Sequence, residues 1–397
     1  MSLSPAVMNI KPSITLAVTA RANAMKAQGI DVIPLSAGEP DFDTPTHIAD
    51  AAVEAIRSGF TKYTPSAGIP ELKKAVCEKF RRDNGLEFTP SQVIINSGAK
   101  HSVFLAIFVL VGPGDEVIIP APYWVSYPEM VTLAGGATVV IEGRKEHGLK
   151  ITAHQLREAI TPRTKLLILN TPSNPTGMVY SERELREIAE IIAETGMYVL
   201  SDEIYEKLIY DGRRHVSIGS LSPEVFARTI TVNGVSKAYS MTGWRIGYTA
   251  GPEEIIRAMD AVQSQEISNP ASISQKAALA ALTGPEDLVE TMLREYDRRR
   301  RYVVDRLNTL EGVSCLMPEG AFYVFPDMSA VYGRSYKGRL IAGSAAFGDY
   351  MLDEWKIAII PGAGFGADAY VRLSYATSMA NIEKGLDRFE AGLKALE

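Results

Sequence analysis

Cysteine is almost missing from this chain: Cys77 and Cys315 are the two thiols among 397 residues, so a disulfide framework cannot hold the fold and a reducing cytosol suits it. Histidine is sparse too. His47, His101, His147, His154 and His215 show no paired ligand spacing, and the two cysteines lie too far apart to form a local thiolate cluster, so no metal is expected. Neither sign of charge dominates. The 41 Lys and Arg stand against 47 Asp and Glu, a formal net charge of -6 that gives no general attraction for nucleic acid or anionic lipid. The densest basic cluster, Arg298, Arg299, Arg300 and Arg301, follows Glu295 and Asp297 in a strongly helical stretch and reads as a solvated helix face. Long apolar runs are absent, the longest covering 103–111, and no charged segment followed by an apolar stretch opens the chain. Neither secretion nor membrane insertion is expected, and a cytoplasmic location is. The glycine patterns of dinucleotide sites and phosphate-binding P-loops are also missing, which argues against a nicotinamide oxidoreductase or an NTPase.

What is present is a globular composition, 46% hydrophobic and 22% charged, in a chain long enough for a large core and more than one domain. From about 93 to 249, short β-branched runs alternate with amphipathic helical patterns, as strand and crossover-helix units do. Runs at 93–95, 116–119, 166–169, 198–200, 229–232 and 246–249 read as buried strands of a mostly parallel sheet. Ligands of such sheets sit beyond the carboxyl ends of the strands. Ser181 with Glu184 forms a capping box opening a helix, and a charge-rich helical pattern over 286–310 precedes a short-strand region at 322–325. The first 45 or so residues carry several prolines and no clear sheet pattern, and are expected to pack on the C-terminal portion. The expected division is an N-terminal arm over 1–12, a small domain of 13–45 and 296–397, and a large domain over 46–295.

The richest segment follows the run at 229–232: Asn233-Gly234-Val235-Ser236-Lys237, then Gly243-Trp244-Arg245-Ile246-Gly247. A lysine beside a buried strand loses part of its preference for the charged state, as it must to form an imine with a carbonyl cofactor; otherwise it is a surface loop lysine. Arg245 offers a planar fork for a phosphate, or else an ordinary salt bridge. Ser97-Gly98-Ala99, between a strand and a helix, supplies free amides and a backbone open to close approach, though as a lone turn the signal is weak. Asp202 follows an apolar run at 197–200, where an unpaired acid is costly. A protonated pyridine nitrogen resolves that cost, as does an ion pair with a basic side chain. Asn174 and Tyr205 sit where each can reach a cofactor ring oxygen, with turn chemistry the plain reading of Asn174. Trp124 is either a stacking surface for a planar ring or simply core.

Together these residues resemble the class I, fold-type I aminotransferases that depend on pyridoxal 5'-phosphate, over nearly the whole chain. The matching runs, in the family's order, are Ala37-Gly38-Glu39-Pro40-Asp41-Phe42, Lys62-Tyr63-Thr64-Pro65, Pro122-Tyr123-Trp124, Asn174-Pro175-Thr176-Gly177, Ser201-Asp202-Glu203-Ile204-Tyr205, Ser236-Lys237, Gly243-Trp244-Arg245 and Val371-Arg372-Leu373-Ser374-Tyr375. The resemblance implies a three-layer α/β/α large domain with a mostly parallel sheet, plus a smaller α/β domain. It implies Lys237 as the imine-forming lysine and catalytic base, Asp202 on the pyridine nitrogen, Asn174 and Tyr205 on the ring oxygen, and Trp124 stacked on the ring. Arg245, Gly98 and Ala99 would hold the phosphate, with Ser236 and Lys100 among the cofactor contacts. Tyr63 would reach it from a second copy of the chain, making a homodimer with shared active sites. Arg372 would bind the substrate α-carboxylate, with Gly38 in the strip covering the amino acid.

Lys100 bears on the substrate, because a cation at a helix N-terminus is disfavoured unless an anion compensates. With Ser13 and Thr15 it resembles the aspartate aminotransferase subgroup, in which a distal carboxylate is gripped there; a plain helix start is the other reading of Ser13 and Thr15. L-aspartate with 2-oxoglutarate is therefore the expected pair, by ping-pong kinetics. Prephenate or aromatic transamination and a β-elimination lyase on the same scaffold are the alternatives. A regulatory cofactor-binding module is disfavoured because no DNA-binding segment is visible.

Overall fold

The computed structural model describes residues 5–397; the first four residues of the expected arm lie outside the described residues. A seven-stranded sheet dominates, in the spatial order Val93–Asn96, Gly247–Ala250, Thr229–Gly234, Tyr198–Asp202, Thr164–Asn170, Glu116–Ala121 and Ala137–Glu142. Gly247–Ala250 runs antiparallel to both its neighbours, and every other pairing is parallel. Alternate side chains of a strand feed opposite layers. Leu166 and Ile168 join a core with Val103, Ile107 and Met259 of the helices Ala99–Leu110 and Glu253–Glu266. Leu167 and Leu169 join Leu185, Ile188 and Ile192 of Glu182–Thr195 on the other face. Burial on both faces explains why these strands read as nearly continuous apolar runs. The expected three-layer α/β/α arrangement with a mostly parallel sheet is what forms.

Ala137–Glu142 escaped the sequence reading. It lies at one edge of the sheet, paired on one side alone and with Val140 45% exposed, yet its run Val139-Val140-Ile141 is as apolar as those of the strands that were read. The capping box at Ser181 forms as expected, with Glu184 N–H donating to Ser181 and the Glu184 carboxylate accepting from the Ser181 amide at 2.7 Å.

A second core joins the ends of the chain. Ile33–Pro34 pairs in parallel with Ile357–Ala358, and an antiparallel sheet orders Ile360–Pro361, Val371–Ser374 and Tyr323–Val324. Ile33 and Leu35 are buried in one cluster with Tyr296, Val303, Phe322, Phe347 and Phe389. The helix Asp287–Asn308 runs unbroken through position 296.

That helix corrects the reading of its arginines. Arg298 and Arg301 are solvated, but Arg300 is fully buried, bonding both oxygens of Asp211 at 2.9 Å and the Pro318 carbonyl at 2.6 Å. Arg299 is buried against Asp41 at 2.7 Å and Glu295 at 2.9 Å. Both lie on the inward stripe with Tyr296 and Val303, one helical turn on either side, and charge alone hid that periodicity.

Candidate active site

The chemistry gathers at the carboxyl edge of the large sheet. Asn170 and Asp202 end neighbouring parallel strands in register, and Lys237 lies just past Gly234. The reversed strand begins where its neighbours end, so Gly247 pairs with both Asn96 and Gly234 and carries Arg245 to the same edge. A cavity of about 390 Å³ opens there. Ser13, Thr15, Gly38, Ala99, Lys100, Trp124, Asn174, Asp202, Tyr205, Ser236, Lys237, Arg245 and Arg372 all line it. Gly98 stands directly behind Arg245, and Tyr63 is elsewhere on the chain, 89% exposed.

Lys237 is half-buried and donates to the Gly38 carbonyl oxygen at 2.6 Å. Burial pushes its amine down to about 8; the Arg245 and Arg372 charges act the same way, while Glu39 and Asp202 oppose them. That amine faces Asp202, a carboxylate only 5% exposed, which makes no ion pair among the described residues. Asp202 accepts the Tyr127 hydroxyl at 2.7 Å and the Ile204 amide at 3.3 Å. Desolvation pushes its carboxyl up to about 6 despite those bonds, so a cation brought beside it would favour its charged form.

One end of the cavity suits an anion. The helix Ala99–Leu110 points its N-terminus inward, with Gly98 as N-cap at φ 86°. A Cβ on Gly98 would meet Arg245 Nη2 at 2.5 Å, and a Cβ on Gly247 would meet the Ala99 nitrogen at 2.3 Å. Two glycines thus let the turn seat against the strand and beside the guanidinium. Arg245 takes a left-handed conformation, φ 56°, and donates to the Thr242 carbonyl at 2.8 Å. Lys100 stands over the Trp124 indole at 4.9 Å, and desolvation followed by the Arg245 charge lowers its ammonium from the ordinary range.

The opposite end holds Arg372, 2% exposed. Its Nη1 donates to Asn174 Oδ1 at 2.9 Å and its Nη2 to the Ser36 carbonyl at 3.0 Å, with Tyr323 and Phe365 packed on the guanidinium. Nε has no partner, no carboxylate pairs with the side chain among the described residues, and burial lowers its hold on the proton. A buried cation left this way can pair with a carboxylate from outside the chain. Asn174 spends its oxygen on Arg372, which leaves the amide nitrogen as its free donor. Tyr205 does not stand alone either: its hydroxyl meets that of Tyr323 at 2.8 Å.

Several participants went unread in the sequence. Tyr127 braces Asp202, Tyr323 bridges Tyr205 and Arg372, and Glu39 accepts from Thr242 at 2.9 Å, tying the strip at 36–39 to the loop before Arg245. Tyr127, three residues beyond Trp124, offered a faint signal. Nothing distinguished Tyr323 from the other aromatics around it. Ser13 caps the helix Ile14–Ala27, accepting from Leu16 N, and it also lines the cavity.

Glu203, Glu206 and His215 bring potential ligand atoms within 4.8 Å of one another, a grouping that spacing along the sequence did not reveal. Lys79 is buried against Glu206, and His215 Nε2 meets Glu203 at 2.7 Å, so the cluster's negative charge already has cationic company.

Comparison with known proteins gives a consistent result. Residues 30–389 match the family described as aminotransferase class I and II. The chain is 50% identical over 398 residues to an aspartate aminotransferase of Geobacillus stearothermophilus, covering 100% of both proteins. It is 50% identical to an aspartate/prephenate aminotransferase of Cereibacter sphaeroides, covering 98% of each. The solved structure of Thermus thermophilus aspartate aminotransferase with maleate superposes with a TM-score of 0.93 at 46% identity, covering 99% of this chain and 100% of that one.

Proposed function

The chain belongs to the class I and II aminotransferases, and from that premise we propose that it moves the amino group of L-aspartate to 2-oxoglutarate with pyridoxal 5'-phosphate held at Lys237. The observation that carries this reading is one cavity holding a lysine of lowered pKa, the buried acid Asp202 and three cations, Arg245, Lys100 and Arg372, none of these four charges in an ion pair among the described residues. Bound there, the cofactor supplies a carbonyl for an amine to capture and a ring that accepts the electrons left at the substrate Cα. The residues fit it: Asp202 meets a protonated ring nitrogen, and Tyr127 fixes the carboxylate in place. Arg245, Ser236 and the turn from Gly98 through the backbone amides of Ala99 and Lys100 receive the phosphate. Trp124 stacks on the ring, and Asn174 Nδ2 with the Tyr205 hydroxyl faces its oxygen. Lys237 Nζ takes the Cα proton and later returns it, because its neutral form is accessible near neutral pH.

Arg372 orients the substrate through its α-carboxylate, and the strip containing Gly38 covers it. Lys100, with Ser13 and Thr15 opposite, receives the distal carboxylate. The Thermus thermophilus relative is solved with maleate, a dicarboxylate, which supports a substrate with two carboxylates. Prephenate also carries a second carboxylate, and the Cereibacter sphaeroides relative favours it as a second acceptor. The reading extends to a homodimer in which Tyr63 of one copy reaches the phosphate of the other, and to closure of the portion 13–45 and 296–397 over 46–295.

The test is a panel of aspartate, glutamate, tyrosine and phenylalanine against 2-oxoglutarate, oxaloacetate and prephenate. Aspartate with 2-oxoglutarate should give parallel initial-velocity lines. Lys100→Ala should raise the aspartate KM roughly tenfold or more while leaving phenylalanine nearly unchanged. Wild-type activity confined to aromatic donors with monocarboxylic acceptors would refute the aspartate assignment.

A further inference from the structure

The turn proposed to bind phosphate has a side-chain clamp that the mechanism above does not use. At the start of Ala99–Leu110, His101 N and Ser102 N both bond the Gly98 carbonyl, at 3.0 and 3.2 Å, and Gly98 N bonds Asn96 O at 2.8 Å. The amides of Ala99 and Lys100 are then the open donors of this helix end. The next amide back, Ser97 N–H, turns the other way and donates to His101 Nδ1 at 3.2 Å. An amide nitrogen is only a donor, so Nδ1 must be the bare nitrogen of the ring and Nε2 must carry the hydrogen. Nε2 meets the Glu266 carboxylate at 2.9 Å, an acceptor suited to that tautomer. The His101 side chain is only 10% exposed, wedged between its own helix and Glu253–Glu266.

We propose that His101 is a positioning residue for phosphate binding: by engaging Ser97 N–H while Glu266 holds its ring, it fixes the turn at 96–99 so that the Ala99 and Lys100 amides face the cofactor phosphate. This rests on the reading that the turn receives that phosphate. No side chain caps the helix from the N-cap position, which is Gly98, so the clamp comes from inside the first turn. Without it, Ser97 N–H loses its acceptor and the turn loses the bond that sets its pitch.

The experiment measures equilibrium binding of pyridoxal 5'-phosphate and of pyridoxal, which lacks the phosphate, to the full-length apoprotein by visible absorbance. His101→Leu should weaken the phosphorylated compound roughly tenfold and leave pyridoxal unchanged. His101→Gln, whose side-chain oxygen can accept the same amide hydrogen, should bind both like wild type. A leucine variant that binds the phosphorylated compound normally would overturn the proposal, as would equal loss of both compounds, or a glutamine variant no better than leucine. Wild-type protein that binds neither compound would instead sink the cofactor reading itself, and this inference with it.

Discussion

Lys237→Ala is expected to lose transaminase activity by on the order of 10⁴-fold or more, because it removes the group proposed to capture the cofactor and to move the substrate proton. The environment explains why this lysine is chemically special. With its amine pushed down to about 8 by burial, roughly a tenth is neutral at pH 7, against on the order of one part in three thousand for an ordinary lysine. The sign follows directly. Protonation blocks attack on a carbonyl, so the rate at which apoprotein captures cofactor should climb as pH rises toward 8 and flatten above it. Stopped-flow absorbance across pH 6 to 9 reads this out. Lys237→Arg separates charge from nucleophilicity, since a guanidinium stays protonated throughout. It should be as inactive as alanine, and appreciable activity in it would show that the amine is not the reacting group.

Arg372→Ala should lower kcat/KM for both the amino acid and the 2-oxo acid by on the order of 10²- to 10³-fold, the scale for losing one partner of a buried charge pair. Both half-reactions suffer because each substrate carries the same α-carboxylate. Arg372→Lys keeps the charge but not the fork that reaches Asn174 and Ser36 together, so its activity should fall between the two. Arg372 also packs on Tyr323 and Phe365, and a thermal melt must accompany the kinetics. An unaltered KM for both substrates in a folded alanine variant would remove Arg372 from the site.

The legible part of the site was the part that violates a local rule. Lys237, Asp202 and Arg245 stand at the ends of apolar runs where a solvated side chain is unexpected, and Gly98 breaks a strand-to-helix junction where only an open backbone serves. The sheet was readable for a related reason: strands buried on both faces carry continuous apolar runs, although Ala137–Glu142, at one edge, was missed despite its run Val139-Val140-Ile141. Tyr127 and Tyr323 stayed hidden because a tyrosine is equally at home in a core, and only tertiary contact distinguishes a brace from a filler. Arg299 and Arg300 misled in the opposite sense. Their charge suggested solvent, while helical periodicity places them inward against Asp41 and Asp211. Tyr63 does not line the cavity of a single chain, so the role proposed for it requires a second copy.

The central claim is that one lysine, chosen by its surroundings, holds the cofactor. The most direct measurement is borohydride reduction of the cofactor-loaded protein followed by peptide mass mapping. Lys100 is a built-in competitor, for it lines the same cavity and its ammonium is also lowered by desolvation. The cofactor mass should appear on the peptide carrying Lys237 and on no other. Its appearance on Lys100 or any other lysine, or on none, would contradict the account.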